Sequence, residues 1–325
     1  PPGFLASHPR VGAGHADAIL HRLDSLGLLL GDPAGAHLLQ GDAYLAKDDY
    51  AAALAAYNQV PLSAETAEPL AARLLRLAQA DAARPEPLLA AADVRLQTGA
   101  AEASVPLLHD ALARDPARAA APVASRLQAL HDAGRCPPDG LALLARALVQ
   151  RGDVASLAGA IQATQDLYTA APARAAEAAD LCRSLTALAE PSSAVYAQAQ
   201  LLLGEALAGM AQPQAAAAAW GTLVSQAQVV DERLIQRLQA LVEQDPSLSE
   251  AWLYLGDACL KRAEPTVAYA LDAYTQALRT DHHVSARAVL DRLQFLDAQG
   301  GDLLRARLLE AEAQAQFDPA GAVEG

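Results

Sequence analysis

Apolar and polar positions recur in a fixed order along the chain, in six short strings that contain Arg and end with Leu; five begin with Arg-Leu and the string at 182–188 is a degenerate copy. The strings are RLDSL at 22–26, RLLRL at 73–77, RLQAL at 126–130, CRSLTAL at 182–188, RLQAL at 237–241 and RLQFL at 292–296. Their arginines are 51 to 57 residues apart. Internal periods in this range are typical of stacked repeat architectures. The pattern therefore predicts an array whose repeat is about 54 residues long.

The segments that follow the strings predict pairs of helices. An Asp-Pro dipeptide ends a leading helix at 32–33 and again at 245–246, because Pro lacks an N–H and restricts the residue before it. Polar turns, such as Thr98-Gly99 and Arg151-Gly152-Asp153, then divide each pair. We predict lead helices near 15–30, 66–82, 117–133, 172–189, 231–244 and 283–299. Five are followed by a helical pair and the last by one helix at 301–316, which gives about 17 helices.

Composition supports an all-α fold class. Hydrophobic residues make up 53% of the chain but aromatic residues only 4%, and Ala and Leu supply most of the apolar content. Ala and Leu are strong helix formers because they lose little side-chain freedom in a helix. Strand-favouring β-branched and aromatic residues are sparse.

Small and large residues occupy matching positions in three of the predicted pairs. They are Gly41, Tyr44, Ala53 and Tyr57 in one pair, Gly204, Leu207, Ala216 and Trp220 in a second, and Trp252, Leu255, Gly256, Ala270 and Tyr274 in a third. This pattern resembles the tetratricopeptide-repeat (TPR) family. The pairs at 85–116 and 138–170 match less closely, with Ala92 and Ala145 in place of Gly. The resemblance implies an α-solenoid of helix-turn-helix repeats that binds other proteins.

The length of the repeat differs from that of the family. A TPR unit has about 34 residues in two helices, whereas the repeat here has room for three. Either three helices form one unit, or the lead helix takes a place in an alternating two-helix stack; the sequence leaves both open. We expect one array over residues 1–325, with repeats near 15–62, 63–116, 117–171, 172–230 and 231–282 and a capping segment at 283–317.

Charge and motif content narrow the classes of function. The chain carries 24 basic and 38 acidic residues, a net charge of −14, which argues against nucleic acid as a partner. The apolar run Leu28-Leu29-Leu30 is too short for membrane insertion. Nucleophile elbows, phosphate loops, HExxH and paired-cysteine motifs do not occur. We therefore expect no enzyme activity, no cofactor and no metal.

The compartment is less constrained. Three widely spaced cysteines, which we expect to be small buried side chains, favour a cytoplasmic location. A periplasmic or extracytoplasmic location stays open, because the chain begins without Met and a targeting segment could have been removed.

The resemblance also implies a set of groove residues. In the family, the first helix of each pair lines the groove. Two motif positions give an acidic row and an apolar row here. The candidate partner-binding residues are Asp42, Asp93, Glu205 and Asp257, with Leu38, Leu89, Leu201 and Leu253. Arg146 and Ala142 take these two positions in the remaining repeat. Such a groove predicts a basic, partly apolar protein or peptide as partner.

An alternative interpretation gives the acidic row a structural role. Arg22, Arg73 and Arg237 each precede an acid of the row, namely Asp42, Asp93 and Asp257, by 20 residues. Equal spacings predict ion pairs between the lead helix and the next helix. The repeat that starts at Arg126 is the expected exception, because Arg146 replaces the acid there.

Three functions are compatible with these observations. The first, which we predict, is a protein-interaction scaffold that binds a partner protein or an extended peptide along a helical groove or edge. The second is a non-catalytic regulatory or assembly domain of a larger, possibly enzymatic protein. The third is a self-assembling array, which the polar final segment EAEAQAQ makes less favourable.

Overall fold

The described part of the chain is helical throughout. A computed structural model describes residues 16–22, 32–297, 307 and 309–314. These residues contain 17 α-helices and a 3-10 helix at Pro172–Arg174, and no strand occurs among them. The all-α fold class and the predicted number of helices are confirmed. The helix predicted at 301–316 is described only in part, and the tail at 318–325 lies outside the described residues.

The helices are numbered in chain order. Residues 16–22 are α1 and residues 309–314 belong to α17. Between them lie α2 (Pro33–Ala46), α3 (Tyr50–Asn58), α4 (Ala67–Ala80), α5 (Glu86–Gln97), α6 (Ala101–Arg114), α7 (Pro116–Asp132), α8 (Pro138–Arg151), α9 (Val154–Ala170), α10 (Ala175–Leu188), α11 (Ala194–Gly209), α12 (Pro213–Gln226), α13 (Glu232–Gln244), α14 (Ser249–Leu260), α15 (Val267–Thr280) and α16 (His282–Asp297). The lead helices α4, α7, α10, α13 and α16 begin and end within three residues of their predicted bounds.

Asp-Pro dipeptides start helices as well as ending them. Asp32 precedes Pro33, the first residue of α2, and its carboxylate accepts a hydrogen bond of 2.8 Å from the Gly35 N–H. Asp115 and Pro116 form the same arrangement at the start of α7. The Asp side chain accepts a hydrogen bond from a backbone N–H that has no partner within the helix. Pro at the first helical position has no N–H and therefore needs no acceptor. One dipeptide thus separates two consecutive helices.

Consecutive helices pack against each other from α2 to α8 and from α10 to α16, and several helices two positions apart also pack together. The chain divides into an N-terminal unit, Pro1–Ala163, and a C-terminal unit, Thr164–Gly325. In the N-terminal unit α2 contacts α4, α5 contacts α7 and α6 contacts α8; in the C-terminal unit α12 contacts α14 and α14 contacts α16. Contacts between helices i and i+2 are those of two alternating layers. The lead helix therefore takes an ordinary place in a two-layer stack, and successive repeats exchange layers within each unit.

The residues that carry the TPR resemblance meet as the family pattern requires. A Cβ on Gly41 of α2 would overlap the ring of Tyr57 in α3, and a Cβ on Gly256 of α14 would overlap the ring of Tyr274 in α15. Glycine at these positions lets the large ring of the second helix lie directly on the backbone of the first. Both rings are fully buried. The helical pairs are therefore TPR-like in packing as well as in sequence.

Alanine fills much of the space between helices. The run at 215–219 in α12 places Ala216, Ala217 and Ala219 in the core. The remaining two alanines of the run face solvent. Small side chains at the buried positions allow close approach of neighbouring helices, so the run serves packing. Whether one array spans the whole of residues 1–325 stays a prediction.

Candidate interaction groove and the acid–arginine pairs

All four acids of the predicted row are bound by arginine. In each case the arginine lies in the lead helix that follows the acid along the chain. The pairs, with their N–O distances, are Arg73–Asp42 (2.9 Å), Arg126–Asp93 (2.6 Å), Arg237–Glu205 (2.9 Å) and Arg292–Asp257 (2.6 Å). They join α2 to α4, α5 to α7, α11 to α13 and α14 to α16, which are helices two positions apart.

The predicted pairing is wrong by one repeat. Asp42 is bound by Arg73 and not by Arg22, and Asp93 is bound by Arg126 and not by Arg73. In the same way, Arg237 binds Glu205 rather than Asp257. The physical reason is the layering, because a lead helix lies beside the helix two positions before it. Its arginine therefore meets the acid of the preceding repeat.

The predicted exception is also wrong. Arg126 makes two parallel hydrogen bonds to Asp93, Nε to Oδ1 and Nη2 to Oδ2, each 2.6 Å long. Arg183, the corresponding lead-helix arginine after Arg146, binds Asp180 in its own helix at 2.6 Å. The arginine of each lead-helix string from α4 to α16 thus forms an ion pair with an acid.

Two of the acids also receive a buried tyrosine hydroxyl. Tyr57 donates to Asp42 and Tyr274 donates to Asp257, each at 2.8 Å. Burial and the neighbouring carboxylate raise the pKa of both tyrosines far above the usual value. Each acid therefore lies between the aromatic residue of its own helical pair and the arginine of the next repeat. Each cluster of tyrosine, acid and arginine therefore helps to set the position of one repeat relative to the next.

The other two acids lack this hydroxyl. Trp220 follows Gly204 at the tyrosine position, and its indole N–H donates to the Leu201 carbonyl at 3.1 Å. Leu108 holds the same position after Ala92, next to Asp93 in the repeat pattern. Asp93 is the most exposed of the four acids, at 39% of its side-chain surface, against 15–19% for the other three.

The leucines predicted to line a groove are mostly core residues. Leu38, Leu89 and Leu253 are 1%, 7% and 6% exposed, and Leu201 is half-buried. Leu38 and Leu253 therefore serve mainly to pack the helices. A role for the acidic and leucine rows in binding a partner stays a prediction.

An open groove lies in the N-terminal unit between α3 and α5, and we call it the α3–α5 groove. Its volume is about 590 Å³. The buried side chains of Leu70 and Leu74 of α4 and Leu89 of α5 line it, and so does the Asp93–Arg126 pair. Of the predicted candidates, Leu89 and Asp93 line this groove, whereas Asp42, in the other layer of the same unit, does not.

One face of α5 runs along the α3–α5 groove. Glu86, Ala90, Asp93 and Gln97 recur at intervals of three or four residues and all line it. Such spacing places side chains on one helix face. The Glu86 Oε2 atom is buried and accepts no hydrogen bond from the described residues. Glu86 therefore has an acidic side chain that lines the groove and a carboxylate oxygen that no described residue satisfies.

The opposite wall comes from α3 and the loop after it. Leu54 and Leu62 are half-buried there, and the Asn58 side chain is exposed at the rim. Neither these residues nor Glu86 was predicted, because the family pattern was applied only to positions in the middle of each first helix. The signal that could have identified them is the alternation of layers, which brings a second helix, α3, beside a first helix, α5.

A smaller pocket of about 290 Å³ lies in the C-terminal unit. Glu205 and Arg237 line it, together with Tyr168 and Trp220. The Tyr168 hydroxyl donates to the Glu205 carbonyl at 3.1 Å. Asp257 does not line this pocket. The acidic row thus divides in both units into one acid beside a pocket and one acid away from it.

The described residues add three findings on chemistry and environment. They contain no group of three or more His, Cys, Asp or Glu side chains placed to hold a metal ion. No described helix is both long and apolar enough to span a bilayer. Burial raises the pKa of the Cys182 thiol to about 12 and that of Cys136 to about 11. Both cysteines are free, as is Cys259.

Comparison with known proteins gives structural matches only. No family model and no curated protein matches the chain in sequence. A crystal structure of the C-terminal part of a TPR repeat-containing protein from Cytophaga hutchinsonii is 12% identical, with coverage of 96% of this chain and 94% of that one and a TM-score of 0.24. The APC/C hetero-tetramer Cut9–Hcn1 is 13% identical, with coverage of 94% and 70% and a TM-score of 0.24. The TPR-like character of this chain therefore rests on its own glycine–aromatic contacts and paired helices.

Proposed function

We propose that the chain is a protein-interaction scaffold that binds an extended segment of a partner protein in the α3–α5 groove. The observation that carries this proposal is the groove itself, an open cleft of about 590 Å³ beside the acid–arginine pair of Asp93 and Arg126. Binding sites for ligands are typically clefts of about 300–1,000 Å³ with apolar walls and a few polar groups. The groove has both properties.

The dimensions of the groove suit a short extended peptide. Its α5 face runs from Glu86 to Gln97, which corresponds to about 17 Å at 1.5 Å per helical residue. An extended chain covers this distance with about five residues. Half-buried Leu54, Leu62 and Ala90 offer apolar contact to alternate side chains of the segment. Exposed Asn58 and Gln97 supply amide groups that can hydrogen-bond its backbone.

Charge indicates the character of the partner. The chain has a net charge of −14, so a basic segment is attracted at long range and an acidic one is repelled. The apolar walls of the groove favour uncharged residues next to the basic ones. The proposed partner segment is therefore basic and partly apolar.

Peptide selection combined with a variant that fills the groove tests the proposal. Phage-displayed seven-residue peptides are selected on the intact chain, and their affinity is then measured by fluorescence anisotropy. Ala90→Trp should reduce binding at least tenfold, because the indole occupies the cleft. Ala72→Trp, on an exposed position of α4 outside the groove, should bind as the unmodified chain does. Failure to select any peptide, or equal binding by both variants, would contradict the proposal.

A further inference from the structure

We infer that Glu86 selects a Lys or Arg side chain at the end of the α3–α5 groove where helix α5 begins. The inference rests on the proposed function, since it identifies the chemistry that the same groove recognises. It differs from the sequence-based hypothesis, which assigned charge recognition to Asp93 and the rest of the acidic row.

Glu86 has unused capacity to accept hydrogen bonds. It is the first residue of α5, and its side chain lines the groove. Its Oε2 atom is buried without a hydrogen bond from the described residues. Buried polar atoms are almost always hydrogen-bonded, and leaving one unsatisfied costs stability. A donor brought by a ligand would satisfy this oxygen.

The protein's own cation satisfies Glu86 only loosely. Arg118, in the first turn of α7, places its Nη1 atom 3.7 Å from Oε1, beyond hydrogen-bond distance. Its side chain is 62% exposed and also lies 3.9 Å from Asp115. Arg118 therefore leaves Oε2 without a hydrogen bond, and the Glu86 side chain, which is 42% exposed, is accessible to a second cation.

The remaining charged groups of the groove are already matched. Asp93 and Arg126 neutralise each other through two parallel hydrogen bonds. Tyr57, which also lines the groove, donates a hydrogen bond from its hydroxyl to Asp42. Glu86 is the acid left to attract a ligand cation among the described residues that line the groove.

The position of Glu86 determines which end of the segment carries the cation. Seven residues separate Glu86 from Asp93, about 10 Å along the helix, or about three residues of extended chain. Between them Leu89 and Ala90 offer only apolar contact. The selected segment therefore has one Lys or Arg at one end, followed by apolar residues.

Selection on matched variants tests the inference. Peptide libraries are selected on the unmodified chain, on Glu86→Gln and on Glu102→Gln. Glu102 is a suitable control because it also lies in the first turn of a helix of the same unit, is exposed and does not line the groove. We expect a basic position in peptides selected by the unmodified chain and by the Glu102→Gln variant, and none in those selected by the Glu86→Gln variant.

A charge-free analogue gives a quantitative readout. In a selected peptide, norleucine replaces the basic residue, which removes the charge but keeps most of the apolar stem. The unmodified chain should bind this analogue about tenfold more weakly, as expected for loss of a hydrogen bond to a charged group. Glu86→Gln should bind the two peptides with similar affinity. Circular dichroism establishes that all variants are folded.

The outcomes separate the two proposals. Failure to select any peptide contradicts both. Peptides that bind in the groove but have no basic position, or whose basic position persists with Glu86→Gln, overturn the inference about Glu86 and leave the proposed function intact. Selection of acidic peptides overturns the inference as well.

Discussion

Arg126 donates two parallel hydrogen bonds of 2.6 Å to Asp93, although the two residues lie 33 positions apart in different repeats. The guanidinium also donates from Nη1 to the Pro122 carbonyl in its own helix at 3.0 Å. Arg73 and Arg292 make the same additional bond to the carbonyl four residues earlier. Each of these three guanidinium groups is thus held by its own helix and by an acid of the preceding repeat, so each pair links two consecutive repeats.

Removal of a buried link should destabilise the fold. Arg73 and Asp42 are 14% and 15% exposed, so Arg73→Ala leaves a largely buried carboxylate without its cation. We expect a loss of about 2–4 kcal/mol in the free energy of unfolding. Urea unfolding followed by circular dichroism measures it. Arg76→Ala, at an exposed position of the same helix, should change stability by less than about 0.5 kcal/mol; equal effects of the two variants would contradict the prediction.

The direction of pairing can be tested by double-mutant cycles. Asp42→Asn combined with Arg73→Met should show a coupling energy of about 1–3 kcal/mol, because the two side chains are in contact. Asp42→Asn combined with Arg22→Met should show coupling below about 0.5 kcal/mol. Unfolding free energies of the single and double variants supply both values. Stronger coupling to Arg22 would restore the pairing predicted from the sequence.

Glycine at the first-helix position should be irreplaceable where an aromatic ring covers it. Gly256→Ala places a Cβ against the ring of buried Tyr274. We expect destabilisation of about 1–3 kcal/mol from overpacking, although Ala favours helix over Gly by about 1 kcal/mol. Thermal unfolding measures the difference. Gly159→Ala, whose Cβ would meet only the end of the Leu148 side chain, should be neutral or stabilising, and a similar loss there would argue against the packing explanation.

Alkaline pH should destabilise the protein through its buried tyrosines. The pKa of Tyr57 and of Tyr274 is raised in the folded state, first by burial and then by the adjacent carboxylate. Above pH 10 the unfolded chain loses these protons while the folded chain keeps them. Unfolding then releases protons, so the contribution of these two tyrosines to stability is constant below about pH 10 and falls above it by up to about 1.4 kcal/mol per pH unit for each tyrosine.

The slope of the unfolding free energy against pH distinguishes ionisation of these two tyrosines from ionisation of other groups. Tyr57→Phe with Tyr274→Phe should flatten the decline between pH 10 and 11, measured by urea unfolding at each pH. Tyr269→Phe, at a ring that is 68% exposed, should leave the slope unchanged. An unaltered slope in the double variant would show that other groups cause the alkaline loss.

The sequence identified which residues are equivalent but not which of them meet. The recurrence of Arg-Leu strings located the lead helices to within three residues, and the contact of Gly41 with Tyr57 followed from the family pattern. Arg73, however, lies 31 residues after Asp42 and 20 before Asp93. The predicted pairs are 20 residues apart and the observed pairs 31 to 35 residues apart, so equality of spacing favoured the wrong choice. The choice depends on which helices share a layer, and that follows from three-dimensional packing.

The candidate groove was only partly predictable for the same reason. Leu89 and Asp93 were named as candidates and do line it. Leu38, the equivalent of Leu89 in the preceding repeat, is buried in the other layer of that unit. Residue types alone do not show this difference, because both positions are leucines in similar surroundings. Glu86 escaped notice because one more acid at a helix start is common in an acidic helical chain.

A repeat of three helices in a stack of two layers has a consequence for insertion and deletion. Loss of residues 63–114 would remove α4, α5 and α6 and bring α7, with its capping residue Asp115, directly after α3. Arg126 would then occupy the place of Arg73, opposite Asp42, and the same kind of ion pair would form again. The helices of the N-terminal unit after the junction would nevertheless change layers, so surfaces of that unit that had faced one way would face the other. Whole repeats could thus be inserted or deleted without loss of the arginine–acid pairs between repeats. Only an even number of repeats, however, would keep each later helix of the unit in its original layer.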